Sequence, residues 1–142
     1  MGPAPGEVVV DYNLAVPMAD GVRLWTDVFR PSAPGRYPVI LVRTPYDKHV
    51  TAAQMGGSAA DPLWAARSGY IVVVQSVRGT AGSEGIFRPF HQETDDGVAA
   101  IAWAASQEWS NGSVVMSGAS YYAATQLLPA SRRPPEIGRA HV

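Results

Sequence analysis

Apolar and polar residues alternate over the first thirty positions and then give way to solid apolar runs. Val8 to Val16 alternates loosely and reads as a strand. Ala19-Asp20-Gly21 is a turn signal, and Val22 to Phe29 then alternates cleanly. Val22, Leu24, Thr26 and Val28 share one face; Arg23, Trp25, Asp27 and Phe29 share the other. This predicts an antiparallel hairpin at the start of a sheet. Arg30 to Gly35 is a Pro/Gly loop. Val39 to Val42, Ile71 to Val74 and Val114 to Met116 are continuous apolar runs. Such runs suit parallel strands covered on both faces.

Helical signals separate these runs. Asp61 to Ser68 predicts a short helix, with Pro62 in its first turn and Gly69 as its stop. Glu93 to Ser106 is the clearest helix. Thr94 is its expected cap, Asp95 and Asp96 suit its first turn, and Val98, Ile101, Ala102 and Ala105 fall at helical spacing. Asn111-Gly112 is a turn, and Tyr121 to Leu128 predicts a last helix. The order is a hairpin followed by β-α-β-α-β-α, which is an α/β fold with right-handed parallel crossovers. Ligands in such sheets bind outside the carboxyl ends of the strands. Three segments follow those ends: Arg43 to Asp47, Arg78 to Gly85, and Gly118 to Tyr121.

The third segment carries the most chemistry. Ser113 to Gln126 reads as strand, tight turn and helix, with Ser120 at the bend after small Gly118 and Ala119. A nucleophile elbow needs small flanking residues, because strand and helix backbones pass close together there. The helix N-terminus beneath the serine favours negative charge on reacting oxygens. The usual second glycine is displaced here to Ala123, three residues after the serine. The alternative is a buried turn in which Ser120 only caps the helix.

Composition narrows the choice. A chain of 142 residues with 46% hydrophobic content is one ordinary domain with enough apolar residues for a core. Net charge is −1, which offers no nucleic-acid or anionic-membrane surface. The absence of cysteine excludes disulfides, zinc-thiolate sites and cysteine nucleophiles. Met1 to Gly6 has no basic or apolar leader pattern, so a cytoplasmic location is expected. No apolar run approaches the ~20 residues of a bilayer span.

The other two segments each admit two readings. Tyr46 in Arg43-Thr44-Pro45-Tyr46-Asp47-Lys48 could donate a hydrogen bond to an oxyanion near Ser120, or could pack as a surface tyrosine. Arg78 to Gly85 has the spacing G-x-x-G-x-x-G, without the Gly-Lys-Ser/Thr of a phosphate loop. Its expected role is structural, with Arg78 paired to a carboxylate such as Glu84 or Asp95. His91, just ahead of the long helix, is a candidate general base; loop histidines are more often solvated.

Together these motifs resemble the CocE/NonD hydrolases. That family includes bacterial cocaine esterases, α-amino-acid ester hydrolases and X-Pro dipeptidyl-peptidase-type serine hydrolases. The resemblance runs from about Met18 to Pro135. It rests on Arg43 to Lys48, on Val77-Arg78-Gly79 with Ser83-Glu84-Gly85 and Phe87, on Glu93 with Asp96-Gly97, Trp103, Gln107 and Trp109, and on Gly118 to Tyr121. It implies the N-terminal portion of an α/β-hydrolase fold, truncated after the nucleophile helix. It casts Ser120 as nucleophile, with the Tyr46 hydroxyl and the Tyr121 backbone N–H as the oxyanion hole. It implies a small-molecule ester or peptide substrate and no cofactor or metal. Ser76 replaces a frequent Asp, and Ala123 replaces a small Gly.

The family's acid and histidine follow the nucleophile, yet Ser120 lies near the end of this chain. The expectation is therefore a partial hydrolase domain over residues 1–135, and a non-native tail over 136–142. Ile137-Gly138-Arg139-Ala140-His141-Val142 can be encoded by ATC-GGA-AGA-GCA-CAC-GTC. Followed by a TGA stop, that reads through a commonly used sequencing adapter. Resequencing the source DNA across the junction decides this; a genomic locus that encodes the same tail refutes it.

Overall fold

The structure is a computed structural model, and it describes residues 6–57 and 61–141. One sheet of six strands runs in the order β1-β2-β4-β3-β5-β6. β1 (Val8–Pro17) and β2 (Arg23–Pro31) form the expected hairpin, closed by Met18, Gly21 and Val22. β2 pairs antiparallel with β4 (Ile71–Ser76). β3 (Tyr37–Thr44) lies parallel between β4 and β5 (Ser110–Ser117). The three apolar runs are thus neighbouring parallel strands. Residues 71–76 are buried without exception, as a strand covered on both faces requires.

Helices cover the two faces. α1 (Lys48–Gln54) and α2 (Pro62–Arg67) lie in the β3–β4 crossover. Ala65 and Ala66 of α2 pack with Phe29, Ile40, Val42, Val72 and Val74. α3 (Glu93–Ser106) covers the other face, where Ala100, Ile101 and Ala104 meet Val39, Leu41, Val73, Val114 and Met116. α4 (Tyr121–Ala130) packs against α3. Gly97 makes that approach possible, since a Cβ there would lie 2.6 Å from Pro129 Cγ.

The structure differs from the sequence reading or adds to it at four points. α1 was not foreseen: Asp47 accepts hydrogen bonds from the His49 and Val50 N–H groups and starts a helix where the sequence reading assigned no element. Thr94 does not cap α3. Gln92 holds that position without a side-chain cap, and Glu93, Asp95 and Asp96 place negative charge in the first turn instead. Arg78 pairs with Asp20 and Asp96, while Glu84 is taken by Arg23 and Asp95 by Arg132. Finally, the edge of β5 is covered. Residues of the expected tail form β6 (Ile137–His141), parallel to β5, with Ile137 packed on the core.

Candidate active site

Ser120 sits just past the end of β5, at the N-cap position of α4. Its backbone is strained, with φ 58° and ψ −127°. Few non-glycine residues tolerate that region, which costs of order 1–3 kcal/mol and persists where the surroundings enforce it. Its hydroxyl makes no capping hydrogen bond. The capping alternative therefore fails: the serine is held in a cap position without doing a cap's work.

The sequence makes this turn in a specific way. Gly118 has φ 132°, and a Cβ on it would lie 2.4 Å from Tyr122 Cβ. Only glycine lets strand and helix approach so closely. Gln126, fully buried, donates to the Gly118 carbonyl at 2.8 Å and so ties the helix back to the turn. Tyr121 is the first helical residue, and an N–H at that position has no acceptor one turn back within its helix.

Tyr46 lies at the carboxyl end of β3, beside α4. Its ring meets that of Tyr122 edge-on, with centroids 5.9 Å apart. It is 52% exposed. Every other polar side chain of its motif is committed to structure. Arg43 is buried against Glu93. The Thr44 hydroxyl bonds Thr51 and accepts from the Tyr46 N–H. Asp47 caps α1. Lys48 is buried, donating to Asn13 and lying 3.7 Å from Asp27. The loop is clamped on both sides, and Tyr46 alone presents a free phenol.

A cavity of about 370 Å³ opens at the elbow. Ser117, Gly118, Ala119 and Ser120 form one wall, and Val42, Met55 and Tyr122 contribute apolar surface. His91 lines a different cavity, with Asp20, Arg78 and Asp96. Among the described residues no imidazole or carboxylate is hydrogen-bonded to the Ser120 hydroxyl. Glu136 precedes β6, and the side chain of His141 lies outside the described residues. No group of three or more metal-ligating side chains occurs among the described residues.

The side chain of Tyr121 turns away from the elbow. Its hydroxyl accepts from the Phe90 N–H at 3.1 Å, and its ring stacks on Phe90 at 5.0 Å. Burial raises its pKa, and the neighbouring Glu93 charge adds to the rise. Burial likewise pushes the Glu93 carboxyl above its usual range, against the opposing charge of Arg43. Sequence reasoning treated Arg43 as a loop residue and missed this buried pair. The available signal was its position directly after an unbroken apolar run.

With this geometry in place, comparison with known proteins is decisive. The family described as X-Pro dipeptidyl-peptidase (S15 family) matches residues 20–140. This chain belongs to that family. It is 43% identical over 121 residues to the cocaine esterase of Rhodococcus sp. (strain MB1 Bresler), covering 85% of this chain and 21% of that protein. A CocE/NonD family hydrolase from Staphylococcus aureus superposes with a TM-score of 0.83 at 30% identity, over 94% of this chain and 27% of that one. An α-amino acid ester hydrolase gives a TM-score of 0.82 at 29% identity, over 96% and 25%. The S15 chain described here thus shares the α/β-hydrolase fold of its relatives and spans about a fifth of the length of the curated ones.

Proposed function

We propose that this S15 chain is the nucleophile-bearing part of a serine hydrolase that cleaves esters or amides of small acyl or aminoacyl groups. The observation that carries the reading is Ser120 itself: strained, uncapped and placed at the mouth of a cavity. In the proposed reaction its oxygen attacks the substrate carbonyl carbon. The hydroxyl proton passes to a general base supplied from outside the described residues. The Tyr46 hydroxyl and the Tyr121 N–H hold the tetrahedral oxygen. Collapse forms the acyl-enzyme and releases the alcohol or amine with a proton, and water then frees the acid.

A second reading concerns the 142-residue chain alone. That no base among the described residues bonds the Ser120 hydroxyl favours a non-catalytic fragment or interaction module, since a serine without a base is a weak nucleophile. One experiment addresses both readings. A fluorophosphonate probe is applied to this chain and to a protein completed to the length of its relatives. Labelling of the completed protein, abolished by Ser120→Ala, is the expected result. Labelling that survives Ser120→Ala would overturn the assignment.

A further inference from the structure

Arg43 and Glu93 are among the largest fully buried side chains, and they form an ion pair with Arg43 Nη1 3.6 Å from Glu93 Oε1. Neither exposes any side-chain surface. Arg43 Nε donates to Gln75 Oε1 at 2.9 Å, and the Gln75 amide donates to the Thr26 hydroxyl at 3.1 Å. Both terminal guanidinium nitrogens and both Glu93 oxygens lack a hydrogen-bond partner of good geometry. As a stabilising device such a pair is poor. Removing two charges from water offsets their attraction, and an apolar pair of similar volume does as well or better.

Its location suggests a different use. Arg43 lies on β3, three residues before Tyr46. Glu93 opens α3 three residues after Phe90, whose N–H donates at 3.1 Å to the hydroxyl of Tyr121, the first residue of α4. The Arg43 carbonyl also accepts the Thr125 hydroxyl of α4 at 3.2 Å. The pair therefore bridges the two segments that carry Tyr46 and the Tyr121 N–H. Apolar packing is non-directional, whereas a guanidinium bonded through Nε to Gln75 and paired with Glu93 is held at one distance from α3.

We propose that Arg43 and Glu93 are positioning residues that set the separation between the Tyr46 loop and the first turn of the elbow helix, and so the shape of the oxyanion site. The inference rests on the roles given above to Ser120, Tyr46 and Tyr121. Neither residue touches substrate. Their contribution is confined to the transition state, because an oxyanion donor misplaced by a fraction of an ångström loses the developing charge while leaving ground-state binding intact.

The test uses a protein completed to the length of its relatives, with rates expressed per fluorophosphonate-titratable Ser120. The double variant R43M/E93L replaces the charges with apolar side chains. It is expected to fold, to lose about tenfold or more in kcat with KM within about threefold, and to bind an arylboronic acid weaker by the same factor as kcat falls. Parental kcat and boronate affinity would overturn the proposal, as would a loss confined to KM. If the double variant does not fold, Arg43→Lys is read by the same criteria, since it keeps a cation and removes the Nε–H donor to Gln75. Ser120→Ala and Tyr46→Phe controls separate the two levels. If they leave turnover unchanged, the site reading fails. If they abolish it while R43M/E93L stays at the parental rate, only the positioning role fails.

Discussion

Two residues test the site directly. Ser120 holds φ 58° and ψ −127° without a capping bond to hold it there. Its conformation is enforced by Gly118, whose close contact with Tyr122 closes the turn, and by Gln126, which anchors the Gly118 carbonyl. Glycine adopts this backbone region freely and alanine does not. Ser120→Gly should therefore be more stable than Ser120→Ala by roughly 1 kcal/mol, read by denaturant unfolding. Equal stabilities would mean the turn is relaxed in solution. Tyr46 tests the chemistry instead. Its hydroxyl supports nothing in the fold, so Tyr46→Phe should leave the melting temperature unchanged. In a completed enzyme it should slow acylation by about 10²- to 10³-fold. An unchanged rate would remove Tyr46 from the site.

Elements show how far the sequence could be read and where it fell short. The three apolar runs, the hairpin and α3 were legible because burial on both faces, or on one stripe, writes a strong pattern. α1 was not legible. It is seven residues long, and its only local mark is the Asp47 cap. Arg43 was read as a loop residue because a charge after an apolar run looks like a strand end; its partner Glu93 lies far along the chain and no local pattern links the two. Gly97 was legible as a motif residue but not as a contact. Helix propensity alone would make Gly97→Ala stabilising by about 1 kcal/mol. The added Cβ would instead meet Pro129 at 2.6 Å, so the exchange should destabilise the protein by about 1–3 kcal/mol. A raised melting temperature would show that α3 and α4 part easily. The caps make a separate prediction about pH. Asp47 is held below its usual pKa chiefly by the Val50 N–H, and Asp61 chiefly by the Trp64 N–H. A lowered folded-state pKa gives stability that is present above the unfolded value of about 3.9 and is lost as pH falls through the folded one. Asp47→Asn and Asp61→Asn should therefore flatten the fall of melting temperature below about pH 4. A fall as steep as in the parent would show that these caps do not contribute to acid unfolding.

For the whole molecule the deciding feature is the border of the sheet after β5. A parallel strand in that place is normally covered on both faces and reads as a solid apolar run, as β3 and β4 do. β6 reads Ile-Gly-Arg-Ala-His, with Ile137 packed on the core. It pairs with β5 in irregular register, shifting between Val114 and Val115. Its backbone nevertheless covers the β5 edge, so association through that edge is weaker than an open strand would give. Ending the chain at Pro135 removes the cover. Exposed apolar side chains remain in either case, among them Ile86 at 71% and Phe90 and Leu127 at 55%. Residues 1–142 should therefore self-associate on concentration, and residues 1–135 should do so at lower concentration, as read by light scattering. Identical behaviour of the two would mean that β6 does not form. Catalysis gives the last test. Ser120 stands on a strained turn beside a cavity, but no described base reaches its hydroxyl. Purified residues 1–142 should not hydrolyse p-nitrophenyl esters above a Ser120→Ala control, whether assayed as monomer or assembly. A Ser120-dependent burst from the monomer would show that a base is present within the chain. It would also make His91, across the loop that Phe90 pins to Tyr121, the first residue to replace.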